Sequence, residues 1–86
     1  MTREEIEARV NKVVLAEFDV EEGDLRPEAH FGEDLGLDSL DGIDLVVALE
    51  REFKEAAVKI KEDQARGMRR LCDVYAFIEG AAGAGE

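Results

Sequence analysis

The chain has 86 residues, 22 acidic against 11 basic for a formal net charge of −11, and 45% of it is hydrophobic. Such a length supports one small domain and excludes a two-lobed catalytic cleft, while the apolar fraction argues against wholesale disorder. The charge excludes nucleic acid as a partner, because a phosphate backbone selects the opposite sign, and it favours steering toward basic partners. One cysteine, Cys72, and one histidine, His30, allow no intramolecular disulfide and leave too few donors for a zinc site or a Cys/His catalytic pair. The charged start Met1-Thr-Arg-Glu-Glu-Ile6 is unlike a signal peptide, and no apolar run nears the roughly 20 residues of a membrane span. The expected compartment is the cytoplasm.

A first helix is expected from Thr2, which forms a capping-box pattern with Glu5. Ile6, Val10, Val13 and Val14 then make one apolar stripe that fades at Phe18. Gly23 and Pro27 interrupt any regular helix, so residues 19–37 read as a long loop pinned to the core by Phe31, Leu35 and Leu37. A second helix should start at Asp38-Ser39-Leu40-Asp41, with Asp38 as N-cap, and run to about Ala57. Residues 58–66 are ambiguous: Val58 and Ile60 alternate with lysines, and Glu62 to Arg66 fits a short helical turn before Gly67. Leu71, Val74, Tyr75 and Ile78 predict a last helix ending at Gly80, followed by a flexible Gly/Ala tail over 81–86. No strand is needed, so the class is all-α, with residues 1–80 as a single domain.

The second helix carries two apolar stripes. With residues spaced by about 100°, Leu45, Val46, Leu49 and Phe53 form a core face, and Gly42 falls on it, where it admits close helix approach or merely weakens the helix. Leu40, Ile43 and Val47 lie almost opposite, edged by Asp41 and Asp44. Two readings fit that second stripe: packing against a neighbouring element, or a strip that a partner protein covers. Ser39, at the head of the helix, is either a plain helix-terminal residue or an acceptor modified by another enzyme. His30 alone does not make it a triad nucleophile, whereas a phosphodiester would suit the unpaired N–H groups of a helix start.

The run Phe31-Gly-Glu-Asp-Leu-Gly-Leu-Asp-Ser-Leu-Asp41, continued by Ile43-Asp44-Leu45-Val46, Ala48-Leu49-Glu50 and Glu52-Phe53, closely resembles the acyl carrier protein family. The resemblance extends to Gly80, weakening after Phe53. It implies a small bundle of three longer helices and one short one with a long first loop. It also implies 4'-phosphopantetheine from coenzyme A on Ser39, attached by a phosphopantetheinyl transferase, with the arm's thiol holding an acyl chain as a thioester. The implied partners are that transferase and the synthases, transferases or ligases of fatty-acid, lipid or related biosynthesis that present basic docking surfaces. Asp38, Leu40, Asp41, Ile43, Asp44, Val47 and Glu50 are the expected partner-binding residues of a monomeric, non-catalytic carrier. A peptidyl or polyketide carrier with the same arm, and an unmodified acidic interaction module, are the alternatives.

The chain departs from the family's pattern in its second half. Ile60-Lys61-Glu62 comes about three residues later than the usual Ile-Pro-acid step and lacks its proline, Arg51 replaces a common acid, and Arg69-Arg70 precede the last helix where a threonine cap is usual. An arginine accepts no hydrogen bond, so a cap worth about 1 kcal/mol is expected to be missing there. Charge follows the same division: residues 13–50 hold twelve acids and one base, residues 51–70 seven bases and four acids. That split fits either two solvated faces or a docking surface. Cys72 lies beside the last apolar stripe and reads as structural. Asp34, Asp38 and Asp41 lack the spacing of a calcium loop.

Overall fold

Thr2 starts the first helix as its capping box predicts: its hydroxyl accepts the Glu5 N–H at 3.1 Å, and the Glu5 carboxylate accepts the Thr2 N–H at 3.2 Å. This helix, α1, spans Arg3–Glu17 in a computed structural model that describes residues 1–82. Ile6, Val10, Val13 and Val14 are buried, so its single stripe packs inward against both of its long neighbours, α2 (Ser39–Glu52) and α4 (Leu71–Ala81). A short helix, α3 (Glu62–Gly67), completes the bundle, and no strand occurs among the described residues. The fold is the expected small all-α bundle. The expected tail lies mostly outside the described residues; α4 passes Gly80 and ends at Ala81.

The long loop is pinned more heavily than its sequence predicts. Leu35 is buried, and Phe31 and Leu37 are half-buried, but Leu25 and Ala29 are buried as well. A single 3-10 turn at Glu22–Asp24 is its only helical piece. The loop also repairs the start of α4. No side chain of Arg70 caps that helix, yet Leu71 N–H donates to the Ala29 carbonyl (3.1 Å) and Cys72 N–H to the Pro27 carbonyl (2.9 Å). The Asp73 carboxylate accepts the N–H groups of Arg69 and Arg70 at 3.0 Å each. The expected loss of a cap is therefore offset by loop carbonyls that the sequence places more than forty residues away. Phe31 N–H to the Arg69 carbonyl and a bridge between His30 and Arg70 fasten the same seam.

The second helix stops at Glu52, not near Ala57. Phe53 leaves helical geometry and its ring is fully buried; a 3-10 turn at Lys54–Ala56 follows, and Ala57 takes a left-handed φ of 55°. Two contacts pull the chain back. Arg9 of α1 donates to the Glu52 backbone carbonyl, satisfying an orphan acceptor of the helix end, and its guanidinium lies 4.4 Å from the Phe53 ring centroid. The Glu50 carboxylate accepts the Ile60 N–H at 2.9 Å. The reversal delivers Val58 and Ile60 to the core, which resolves their alternation with Lys59 and Lys61 as inward and outward residues. Lys61 adopts φ −80° and ψ 157°, an extended geometry reached here without the usual proline.

Leu71, Val74, Tyr75 and Ile78 are buried on α4. The Tyr75 hydroxyl donates to Asn11 on α1, and burial pushes its ionisation above the ordinary phenol range.

Candidate functional site

Loop 30–37 aims the head of α2. The His30 N–H donates to the Asp34 carboxylate (2.7 Å), and His30 Nδ1 accepts the N–H groups of Gly32 and Glu33 at 3.1 Å each. That nitrogen is thus engaged by its own turn. Gly36 sits at φ 69°, a region that side-chain-bearing residues avoid, and Leu37 N–H then closes on the Phe31 carbonyl at 2.9 Å. Asp38 follows as the predicted N-cap. Its Oδ1 accepts the N–H groups of Leu40 and Asp41 at 3.0 Å, and Asp41 returns a carboxylate oxygen to the Asp38 N–H at 3.0 Å.

Ser39 is the first residue of α2 and is exposed. Of the helix-start N–H groups expected to face a phosphate there, those of Leu40 and Asp41 are already held by the Asp38 carboxylate. Ser39 itself stands exposed, directly after a reciprocally closed cap.

Leu40, Ile43 and Val47 are 70%, 61% and 49% exposed, which overturns the packing reading of the second stripe. Beside them Asp44 is exposed and forms no ion pair among the described residues, while the Asp38 and Asp41 carboxylates hold the helix start. Glu50 stands apart from this group: half-buried, with its carboxylate on the Ile60 N–H, it works inside the fold. Gly42 is also corrected. It is exposed, and a Cβ there would meet nothing within 4 Å, so no helix uses the absence of its side chain.

A groove of about 660 Å³ opens next to Ser39, a feature the sequence reading missed. Phe31 and Leu37 from the loop, Val46 from α2, Ile60, Ala65 and Met68 from the α3 segment and Val74 from α4 line it. Ser39 and Ile43 line it too and are exposed, so the groove reaches solvent beside the serine. Val46, expected in the core, is only half-buried because it faces this space. Polar side chains in the lining are confined to Asp38, Ser39, Glu62 and Arg66, all exposed.

The head of α2, the strip and the loop and α2 side of the groove fall within the residues matched by a known family. The model of the family described as "phosphopantetheine attachment site" matches residues 8–64, from the first turns of α1 into α3. The chain belongs to the phosphopantetheine attachment site family, a carrier domain whose prosthetic group is covalently attached 4'-phosphopantetheine.

Proposed function

We propose that Ser39 bears the 4'-phosphopantetheine and that the chain is a non-catalytic acyl carrier, presenting its load to synthases, transferases or ligases of fatty-acid, lipid or related biosynthesis in the cytoplasm. A phosphopantetheinyl transferase would load it, docking on Leu40, Ile43 and Val47 with Asp44 beside them. Ser39 supplies the acceptor oxygen at an exposed first helical position, and Asp38 and Asp41 keep that position rigid. When bound, the arm supplies a thiol for thioester chemistry; the protein's part is to fix its root and shelter what it carries.

The observation that supports an acyl over an aminoacyl load is the groove. Its lining below the mouth is apolar, a fit for an alkyl chain. An α-ammonium group would find no inward carboxylate there, since Asp38 and Glu62 are exposed.

Intact-mass measurement with coenzyme A and a broad-specificity transferase tests the attachment. Wild type should gain one phosphopantetheinyl group and Ser39→Ala none, with the variant still folded; modification of Ser39→Ala would overturn the assignment. A series of thioesters then tests the load. Melting temperature should climb with alkyl length and stay flat for aminoacyl groups, and the reverse would favour a peptidyl carrier.

A further inference from the structure

The two sides of the groove carry opposite charge, and we propose that this polarity selects partners: the α3 side receives an acidic patch of a partner protein while the α2 side receives a basic one. Resting on the carrier reading above, the proposal specifies which proteins can close over Ser39.

Residues 31–50, which form the loop and α2 side, hold six acids and no base. Residues 58–70, which form the α3 side, hold five bases and two acids. The fold turns these bases outward. Ile60 is buried and tied to Glu50, so Lys59 and Lys61 on either side of it are exposed. Met68 lines the groove, and its neighbour Arg69 is exposed, with its carbonyl fixed by the Phe31 N–H at 2.9 Å. Among the described residues Lys59, Lys61 and Arg69 form no ion pair. Arg66 is paired with Glu62, and Arg70 donates to the Glu28 carbonyl, so those two bases are already engaged within the fold.

Three unpaired cations facing solvent, each next in sequence to a residue that lines the groove, do little for the fold. Exposed charges interact weakly across water, and salt screens them beyond about 8 Å. Their effect falls on whatever approaches. A partner whose docking face is basic throughout gains at Asp44 and loses at Lys59, Lys61 and Arg69; one with an acidic patch on that flank gains at both. A protein fits this pattern better than an anionic lipid surface, which would meet the acids of α2 as well as the bases.

The test replaces Lys59, Lys61 and Arg69 together by glutamate. The probe is a broad-specificity phosphopantetheinyl transferase chosen for a uniformly basic docking face. At about 20 mM salt, the variant's kcat/KM for modification should exceed that of wild type by about 3–10-fold, converging at about 300 mM. The Kd for the transferase, measured without coenzyme A, should tighten in parallel; this readout holds whether or not Ser39 is the acceptor. Failure of wild type to gain mass would therefore sink the carrier reading and leave the polarity decided by the Kd. Unchanged Kd and rate at low salt would overturn the proposal. So would a fall in melting temperature with unchanged binding, which would assign the bases to internal compensation. Sedimentation of wild type, but not of the variant, with phosphatidylglycerol vesicles would overturn it in favour of a lipid surface. If the glutamate variant does not fold, the Lys59→Gln, Lys61→Gln, Arg69→Gln variant should show the same direction with a smaller change.

Discussion

Removing the Arg9 guanidinium tests how α2 is made to stop at Glu52. Arg9 Nε donates to the Glu52 carboxylate at 2.9 Å, and its Nη2 reaches the Glu52 carbonyl and the Glu55 carboxylate. The guanidinium also lies 4.4 Å from the Phe53 ring centroid. The Arg9 and Glu52 side chains are 28% and 23% exposed, so water screens the pair only in part. A charge-assisted bond in that setting is worth about 1–1.5 kcal/mol, and the ring contact adds about 0.5–1 kcal/mol. Arg9→Ala should therefore cost about 2 kcal/mol, or roughly 8–16 °C in melting temperature for a domain of this size. Arg9→Lys keeps the charge but loses the planar fork, and should recover less than half of that loss.

The acid limb supplies a second readout. The hydrogen bond from Arg9 holds the Glu55 carboxyl below its ordinary range. A carboxyl depressed in the folded state contributes stability that is present above its unfolded pKa and disappears as pH falls through the folded value. The gap between wild type and Arg9→Ala should therefore be widest near neutrality and should narrow toward about pH 3. Urea denaturation followed by circular dichroism at both pH values measures it. A neutral-pH difference under about 0.5 kcal/mol, or a gap undiminished in acid, would refute the reasoning.

Asp38→Ala removes the acceptor for two helix-start amides and should cost about 1 kcal/mol, seen as a fall of about 4–8 °C in melting temperature, with Asp38→Asn largely sparing it. Gly36→Ala forces a side chain into a left-handed position and should cost about 1–2 kcal/mol by urea denaturation; an unchanged midpoint would mean the loop relaxes to another path. Tyr75→Phe leaves the Asn11 oxygen without its donor, for a loss of about 1 kcal/mol. In wild type, ultraviolet titration should place the Tyr75 ionisation above that of free tyrosine. Asp44→Lys should slow transferase modification several-fold at low salt without loss of stability, whereas Asp41→Lys should also destabilise because it opens the reciprocal cap.

The elements that were legible in the sequence are those fixed by neighbouring residues. Thr2 with Glu5, Asp38 with Asp41 and the stripe from Ile6 to Val14 each announce local geometry, and each forms as expected. The exposed strip of α2 was legible as a pattern, but its exposure was not, because periodicity places residues on faces without saying what covers them. The end of α2 was misread for a related reason. Apolar Ala56, Ala57 and Val58 continue a helix-compatible composition, and nothing local reveals that Arg9, far back in α1, captures the last carbonyl. The groove was invisible because it is assembled from four segments. Phe31, Val46, Ile60 and Met68 share no period, and only the fold makes them neighbours.

The short α3 buries none of its residues, and its side of the groove is secured mainly by Ile60 below it and Met68 beyond it. The serine's side is secured by a reciprocal cap, a turn closed on His30, and the seam between the first loop and α4. Local stability is thus distributed unequally around one opening, and the less stable unit is the one that opens first. Amide exchange in α3 will run ahead of exchange at the head of α2. A thioester load longer than the resting groove should therefore speed amide exchange in α3 and leave exchange at the head of α2 unchanged. Under the carrier reading, loads of different size would then be taken up on the α3 side, and a partner enzyme would meet Ser39 in one place.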